Sequence, residues 1–378
     1  MSVEAIALGC RLNFAEAEAM RDTEAPGTIL VNSCAVTNEA VRQTRQAIRR
    51  ARRDKPDARI VVTGCAVQLD AEGFRAMPEV DEIRFRDDRA PALPAAGLLH
   101  KVKSFVAVQT GCDHRCTFCA IWQARGPSRS VPFEAVRDAV AKELDRGAKE
   151  IILTGVDITD YESGLGQLCQ RLLRDLPGLK RLRLSSLDSI EIDGALMELV
   201  ASEPRLMPHF HLSLQAGDDL VLKRMKRRHS RAQSVETVAA IKRARANATI
   251  GADLIAGFPT ESEEAALNTL RLLDDCDIVA AHVFPFSPRA NTPAARMPQV
   301  EREIVKARAA RLRAAAEARR SAWLDSLIGT RQPFLMESDT MGRGDNDAPI
   351  RLANARRGDM GIATITGRDG GHLIGTTA

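Results

Sequence analysis

The first part of the chain alternates short apolar runs with a helical pattern of apolar positions. Apolar runs at residues 5–8, 28–31 and 59–63 are typical of buried strands, and residues 38–53 carry the spacing of an amphipathic helix. Strands that alternate with helices favour a parallel sheet, because crossover helices then join consecutive strands. We therefore predict a small parallel α/β domain over residues 1–90.

A longer α/β pattern follows a break in this periodicity. Residues 86–97 are rich in charges, prolines and alanines, which is typical of a linker. Six strand candidates, with helical patterns between them, then occupy residues 104–109, 150–154, 181–184, 209–214, 250–255 and 279–284. Six such units predict a partial (βα)6 barrel over residues 98–328, with its active groups at the carboxyl ends of the strands by analogy with closed barrels.

The end of the chain changes character again. An Arg- and Ala-rich helical pattern covers residues 299–327, and nine of the 25 glycines then lie between Gly329 and Gly375 amid short alternating segments. This pattern predicts a small β-barrel over residues 329–378, so the fold class is α/β with a C-terminal β-barrel. The acidic run Asp345-Asn346-Asp347 in this tail is expected to repel phosphate.

The distribution of charge leaves a polyanionic partner open. The net charge of +4 conceals a cluster of cations at Lys223, Arg224, Lys226, Arg227 and Arg228. Such a cluster is either a solvated helix face or a phosphate-binding surface. Because no apolar run has the length of a membrane span and the first residues lack the pattern of a signal peptide, we expect a cytoplasmic protein.

Three of the eight cysteines lie in one short loop. Cys112, Cys116 and Cys119 have the spacing CxxxCxxC directly after the first strand of the predicted barrel. Three thiolates from one loop can hold three irons of a 4Fe-4S cluster and leave the fourth iron open. S-adenosylmethionine could bind that iron and be cleaved to a deoxyadenosyl radical. The alternatives are a zinc site completed by His114, which lies inside the same loop, and buried thiols without a metal.

The other cysteines are dispersed along the chain. Cys10, Cys34 and Cys65 each follow a predicted strand of the first domain. Since the carboxyl ends of parallel strands share one edge of a sheet, these thiols are expected to converge as a second three-ligand cluster site, with three unrelated core cysteines as the alternative. Cys169 and Cys276 follow leucine patterns and are predicted to be core residues.

Four further residues lie near predicted strand ends and are candidates for contacts with a cofactor: Gly155, Asp188, Gln215 and Asp253. Ordinary strand-end residues without a ligand are the alternative.

The motifs resemble the methylthiotransferases of the radical S-adenosylmethionine superfamily over nearly the whole length. The resemblance rests on three segments of the first domain and on the cysteine loop: Gly9-Cys10 with Asn13 and Glu16, Asn32-Ser33-Cys34-Ala35-Val36-Thr37, Gly64-Cys65 with Gln68, and Cys112 to Cys119 followed by Ala124-Arg125-Gly126-Pro127. It implies that the loop cysteines are catalytic and that each cysteine triad holds a 4Fe-4S cluster. It also implies that the tail is the small RNA-binding barrel called TRAM.

Within that family, the chain looks most like the branch that modifies threonylcarbamoyladenosine in tRNA. The segments that carry this likeness are Thr154 to Tyr161, Arg181 to Ser186, and His282-Val283-Phe284-Pro285. The implied reaction places a methylthio group on C2 of the base at position 37, in the anticodon loop, where a single-stranded base is accessible. The sulfur is expected to come from the cluster of the first domain. A radical route fits because the C2 hydrogen is not acidic.

The resemblance also implies partners. Two molecules of S-adenosylmethionine are required, one for the radical and one for the methyl group, and a protein of the flavodoxin or ferredoxin type supplies electrons. We expect a monomer. The alternatives within the family are isopentenyladenosine in tRNA and an aspartate of a ribosomal protein. An alternative of another class is a non-catalytic RNA-binding iron-sulfur protein, which would not cleave S-adenosylmethionine under reducing conditions.

Overall fold

Four parallel strands form the first sheet. The computed structural model describes residues 3–86, 92, 94–99 and 102–377. The elements of the N-terminal unit are β1 (Glu4–Ala7), α1 (Arg11–Arg21), β2 (Thr28–Ser33), α2 (Asn38–Asp54), β3 (Arg59–Gly64), α3 (Cys65–Leu69), α4 (Ala71–Arg75) and β4 (Glu82–Ile83). The strands pair in the order β1-β2-β3-β4, and every pair is parallel. The predicted strands and the predicted helix of this unit are therefore confirmed.

Six further parallel strands, with helices between them, form the central unit. Its elements are β5 (Ala96–Leu99), β6 (Lys103–Ala107), β7 (Gln109–Thr110), α5 (Ile121–Arg125), β8 (Arg129–Ser130), α6 (Phe133–Asp145), β9 (Glu150–Thr154), α7 (Leu165–Asp175), β10 (Leu182–Leu184), α8 (Gly194–Ser202), β11 (His209–Gln215), α9 (Asp219–Met225), α10 (Arg231–Ala244), β12 (Thr249–Ala256), α11 (Glu263–Asp275), β13 (Ile278–Pro285) and α12 (Arg302–Ser326). Short 3-10 helices lie at Ile158–Asp160, Ser189–Glu191 and Pro293–Arg296.

The parallel strands are arranged as β6-β9-β10 and β11-β12-β13. Two single parallel bridges, Leu182 with Leu206 and Leu187 with Leu212, join these two groups edge to edge. The predicted partial barrel is therefore confirmed. The strand β5, which begins within the last two residues of the predicted linker, pairs antiparallel with β6 and extends the barrel sheet. Residues 87–91 and 93 of that predicted linker lie outside the described residues.

Side chains alternate between the helices and the lumen of the barrel, because successive residues of a strand point to opposite faces. On β11, Phe210, Leu212 and Leu214 belong to the large core cluster under the helices. The intervening residue His211 therefore faces the lumen. Cys169 and Cys276 belong to the same core cluster, as predicted from their leucine patterns.

The first helix of the N-terminal unit packs against the lumen side of the barrel. Leu12 and Ala15 of α1 form one buried cluster with Phe105, Ala107 and Ile152, which lie on β6 and β9. The neighbouring residues of those two strands face the helices instead. The two units therefore share a hydrophobic core, and α1 closes part of the barrel opening.

The tail folds as a closed five-stranded barrel, as predicted. Its strands are β14 (Arg331–Met336), β15 (Met341–Gly344), β16 (Pro349–Leu352), β17 (Met360–Asp369) and β18 (His372–Thr377), in the order β14-β15-β16-β18-β17. Leu324 of α12 packs into its core against residues such as Phe334 and Ile350. The long helix therefore fixes the tail to the central unit.

A buried charge network joins the tail to the amino ends of the barrel strands. The fully buried carboxylate of Glu150 lies 3.1 Å from Lys103, 3.0 Å from Arg181 and 3.1 Å from Arg183. From the turn after β15, Asp345 pairs with Arg181, and Asp347 lies 3.6 Å from Arg183. The acidic run that was expected to repel phosphate is therefore used for docking the tail. None of the helices in the described part of the chain is long and apolar enough to cross a membrane.

We predict that Glu150→Gln destabilises the protein strongly. The substitution leaves the buried cations of Lys103, Arg181 and Arg183 without their shared carboxylate, and breaking a buried ion pair from one side costs about 3–5 kcal/mol. The matched control is Glu236→Gln, because the Glu236 carboxylate is 71% exposed and pairs with Arg243 at 2.7 Å on the surface. That control should lose less than about 1 kcal/mol. Thermal unfolding followed by circular dichroism measures both, and equal midpoints would contradict the role given to Glu150.

Candidate active site

The loop between β7 and α5 brings the three CxxxCxxC cysteines together. The thiols of Cys112, Cys116 and Cys119 are close enough to interact electrostatically. The backbone N–H of Ile121 donates to Cys119 Sγ at 3.3 Å, and the Arg227 guanidinium donates to Cys116 Sγ at 3.6 Å. The geometry therefore supports a single three-thiolate site on this loop.

His114 lies beside Cys112 and pairs with two carboxylates. Its Nε2 lies 2.5 Å from Asp157 and 3.6 Å from Glu191. Hydrogen bonds to these two carboxylates raise the pKa of His114 to about 10, so the imidazole is protonated at neutral pH. The ligand atoms of His114, Cys112 and Asp157 lie within 4.8 Å of one another, so the imidazole stays beside the cysteine loop.

The three dispersed cysteines of the N-terminal unit also converge. The thiol of Cys34 interacts electrostatically with those of Cys10 and Cys65. Gly9 makes this approach possible: its φ is +89°, and a Cβ at this position would lie 2.3 Å from Cys34 Sγ. The sequence argument that three strand ends share one edge is therefore consistent with the structure.

The two cysteine triads adjoin each other, and Arg125 lies between them. The thiols of Cys119 and Cys65 interact electrostatically across the boundary between the units. Arg125, at the end of α5, donates from Nε to Cys65 Sγ at 3.1 Å. Its other nitrogens donate to both oxygens of Glu16 at 2.8 and 3.0 Å and to Asn13 Oδ1 at 2.8 Å. A buried residue of the central unit thus binds Cys65 and two polar side chains beside it in the N-terminal unit.

Arg86 adds a second cation at the same place. It donates to Cys65 Sγ at 3.4 Å and to Glu16 at 2.5 Å. Burial alone would raise the pKa of Cys65, but Arg125 and Arg86 outweigh it and lower that pKa. By contrast, burial raises the pKa of Cys34 to about 11 and that of Cys112 to about 12. Cys65 is therefore a thiol of its triad whose pKa the neighbouring cations lower.

The four residues predicted to contact a cofactor occupy different settings. Gly155 packs directly on Gln109, where a Cβ would lie 2.8 Å from the Gln109 carbonyl oxygen. Asp188 is buried and accepts a hydrogen bond from Arg227 at 2.9 Å. Gln215 ends β11 with a φ of +67°. Asp253 lies on β12 and bonds to two histidines. Asp188 is linked to the cysteine loop through one residue, because its partner Arg227 also donates a hydrogen bond to Cys116 Sγ.

The predicted cationic cluster divides into exposed and buried members. Lys223 and Lys226 are exposed. Arg228, whose side chain is 52% exposed, pairs with Glu191. Arg224 donates to the Thr260 carbonyl oxygen at 3.2 Å. Arg227 differs from the surface position predicted for it, because its side chain is only 7% exposed and bonds to Asp188.

Sequence reasoning missed Arg86 and did not assign the contacts of Arg125. Arg125 belonged to a motif, but no local pattern indicated that it reaches Cys65. A cavity of about 480 Å³ opens beside these residues and is lined by Glu16, Arg86, Gln109 and Arg125 among others.

Two family models match the chain. The model described as Radical SAM superfamily matches residues 106–273, and that described as Uncharacterized protein family UPF0004 matches residues 2–84. The first match contains the CxxxCxxC loop, and the second contains the three dispersed cysteines.

Curated relatives match nearly the whole chain. A threonylcarbamoyladenosine tRNA methylthiotransferase of Rickettsia prowazekii (strain Madrid E) is 41% identical over 92% of this chain and 91% of its own. The protein of the same name from Bacillus subtilis (strain 168) is 32% identical over 81% of this chain and 78% of its own. A tRNA-2-methylthio-N(6)-dimethylallyladenosine synthase of Sorangium cellulosum (strain So ce56) is 30% identical over 97% of this chain and 88% of its own.

A solved structure supports the fold. The radical S-adenosylmethionine methyltransferase TsrM from Kitasatospora setae superposes with a TM-score of 0.55 and 13% identity, over 79% of both chains. This likeness concerns the fold alone.

We predict that Arg125→Met reduces the iron content of the protein. Without the guanidinium, the Glu16 carboxylate loses its bidentate partner and the Cys65 thiol loses a cation that favours its thiolate form. Arg125→Lys should not restore the iron, because an ammonium group cannot reach Cys65, Glu16 and Asn13 together. Iron and sulfide per chain, counted after anaerobic reconstitution, should fall by about one cluster.

The control for this experiment is Arg137→Met on α6, whose side chain is 40% exposed. It should keep the wild-type iron content. An unchanged iron content in Arg125→Met would show that the cation is dispensable for the N-terminal triad.

Proposed function

Because the chain belongs to the methylthiotransferase family of the radical S-adenosylmethionine superfamily, we propose that it transfers a methylthio group to C2 of threonylcarbamoyladenosine at position 37 of tRNA. The observation that carries this proposal is the adjacency of the two cysteine triads, joined through Cys65 and Arg125. The relatives named for threonylcarbamoyladenosine include the one with 41% identity, whereas the dimethylallyladenosine relative has 30%. This difference supports the threonylcarbamoyladenosine branch.

The residues of both triads fit 4Fe-4S clusters. All six thiols are free, and each triad offers three sulfur ligands from one small volume. Cys112, Cys116 and Cys119 would hold one cluster, and Cys10, Cys34 and Cys65 the other. When bound, the first cluster and S-adenosylmethionine supply a carbon-centred radical, and the second cluster supplies sulfur.

Polar atoms without partners support a ligand beside the first triad. Among the described residues, the buried atoms Arg227 Nε, Trp122 Nε1 and Ser189 Oγ have no hydrogen-bond partner within the chain. Buried donors normally find acceptors, and S-adenosylmethionine brings carboxylate and ribose oxygens. Arg227 is held by Asp188 and Cys116 and so is oriented before the ligand arrives. We assign Gly155, Asp188 and Gln215 to the surroundings of this ligand.

The chain's own residues hold the two sites next to each other and bury part of each, whereas Cys10 is exposed. Cys34, Cys65 and Cys116 are buried, and Arg125 is 2% exposed between the triads. The tRNA base approaches from the carboxyl ends of the barrel strands. Lys223 and Lys226 are exposed at the end of α9. Met225, which lies between them, holds the cysteine loop, because its carbonyl oxygen accepts a hydrogen bond from the backbone N–H of Thr117. These two lysines are therefore placed to contact phosphates next to the base.

The proposal includes the setting of the reaction. The enzyme works as a monomer in the cytoplasm, where thiols stay reduced, and takes electrons from a flavodoxin- or ferredoxin-type protein.

We predict that variants of the two triads differ in the reaction products that they form. Cys116→Ala should abolish deoxyadenosine formation and base modification together, because one thiolate of the radical site is lost. Cys34→Ala should still yield deoxyadenosine but no methylthiolated base. Cys276→Ala, a fully buried core cysteine, serves as the control and should keep both activities.

The assay uses reconstituted protein with dithionite, S-adenosylmethionine and tRNA that carries threonylcarbamoyladenosine, followed by nucleoside mass spectrometry. Deoxyadenosine from Cys116→Ala would refute the radical site. If the wild type modifies only tRNA that carries isopentenyladenosine, or modifies neither tRNA, its substrate is that of another branch of the family.

We predict that tRNA affinity falls with salt and that the double variant Lys223→Ala/Lys226→Ala weakens this dependence. Each phosphate contact to single-stranded RNA contributes a slope of about 0.7 in log affinity against log salt. The double variant should therefore lower the slope by roughly 1.4. Lys180→Ala is the control, because Lys180 lies before β10, at the opposite end of the barrel strands. If the double variant keeps the wild-type slope of log affinity against log salt, both lysines belong to a solvated helix face that does not contact RNA.

A further inference from the structure

The lumen of the barrel holds a side-chain cluster that the cysteine chemistry does not require. We propose that His211, Asp253 and His282 form a binding site for one divalent transition-metal ion, separate from both cysteine triads. This assignment replaces the sequence-based prediction that Asp253 contacts S-adenosylmethionine. It does not depend on the identity of the tRNA base.

Three neighbouring strands supply the three side chains. His211 lies on β11, Asp253 on β12 and His282 on β13, and His282 is the register partner of Asp253. On β11 and β12 the flanking residues Leu212 and Leu254 belong to the core under the helices. His211 and Asp253 therefore face the lumen by strand alternation, and contact with Asp253 places the His282 ring there as well.

The distances match a coordination shell. His211 Nε2 lies 2.9 Å and His282 Nδ1 lies 3.1 Å from the same Oδ1 of Asp253, and the ligand atoms of all three residues lie within 4.8 Å of one another. Nitrogen and oxygen ligands bind zinc at about 2.0–2.1 Å, so neighbouring ligands are roughly 3.3–3.4 Å apart in a tetrahedral shell and roughly 2.8–3.0 Å apart in an octahedral one. Only a small shift of the side chains is needed to admit an ion.

The position is built to hold an imidazole. The His211 ring lies over Gly251 of the neighbouring strand, where a Cβ would come within 2.4 Å of His211 Nδ1. The neighbouring histidine, His209, is already committed, because it is buried and bonds to Thr249 Oγ1 at 2.9 Å. A glycine at residue 251 therefore gives His211 the room to turn its Nε2 towards Asp253.

The donor set indicates the class of ion. Two imidazole nitrogens and one carboxylate suit Zn²⁺, Fe²⁺ or Co²⁺ rather than Ca²⁺ or Mg²⁺. Three protein ligands leave positions open for water or a substrate oxygen. Solvent reaches this cluster, since the His282 side chain is 63% exposed.

Zinc is the probe, tested on the protein with both iron-sulfur clusters loaded. Equilibrium dialysis at micromolar Zn²⁺ should show one zinc per wild-type chain with no loss of iron. Asp253→Asn and His282→Gln should each weaken zinc binding by at least about tenfold while the iron content stays constant. His372→Gln, in the strand β18 of the tail, is the matched control and should bind zinc as the wild type does.

X-ray absorption at the zinc edge separates this site from the cysteines. The proposal requires nitrogen and oxygen neighbours at about 2.0–2.1 Å and no sulfur. Sulfur in the first shell, equal zinc binding by wild type and the two site variants, or no zinc on the wild type would each overturn it. None of these readouts requires turnover, so a failure here is distinct from a failure of the proposed reaction.

Discussion

The buried guanidinium of Arg125 is the interaction on which the candidate active site depends. A guanidinium keeps its proton under all conditions relevant to a protein, so in a position only 2% exposed it must be given acceptors. The N-terminal unit supplies them through Cys65, Glu16 and Asn13. The helix α5 starts two residues after Cys119 and has five residues. It therefore sets the distance from the cysteine loop to the triad of the N-terminal unit. The chemistry of two sites is thus fixed by one short helix and one ion-pair network.

The relative position of the units is set by burial rather than by the linkers between them. At one side of the barrel, α1 places Leu12 and Ala15 against the lumen faces of β6 and β9. At the amino ends of the strands, the turn after β15 docks through Asp345 and Asp347 onto Arg181 and Arg183. Each of these contacts buries residues of the barrel that would be exposed in the central unit alone. The cysteine loop lies at the carboxyl ends of the strands, away from the docked tail.

Much of this architecture could be predicted from local sequence, because its signals are local. Buried parallel strands read as continuous apolar runs, and β9 has the predicted bounds, Glu150–Thr154. The contacts that join units carry no such signal: Arg125 and Cys65 are 60 positions apart, and Arg181 and Asp345 are 164 apart. Arg227 was grouped with surface cations because its neighbours are basic. Lys226 has a φ of +62°, which ends α9 in a left-handed turn and directs Arg227 inwards.

The same alternation that buries the outer face of each strand stacks polar residues inside the barrel. At the amino ends lie Glu150 and its cations, and at mid-height lie the side chains of Asp253 and His282. The cysteine loop follows β7 at the carboxyl ends. The lowest layer is neutralised within itself and sealed by the tail, so it excludes water and ligands. The middle layer stays accessible, since the His282 side chain is 63% exposed. The two polar layers therefore differ in use: the buried layer joins the tail to the barrel, and the layer above it is exposed at His282.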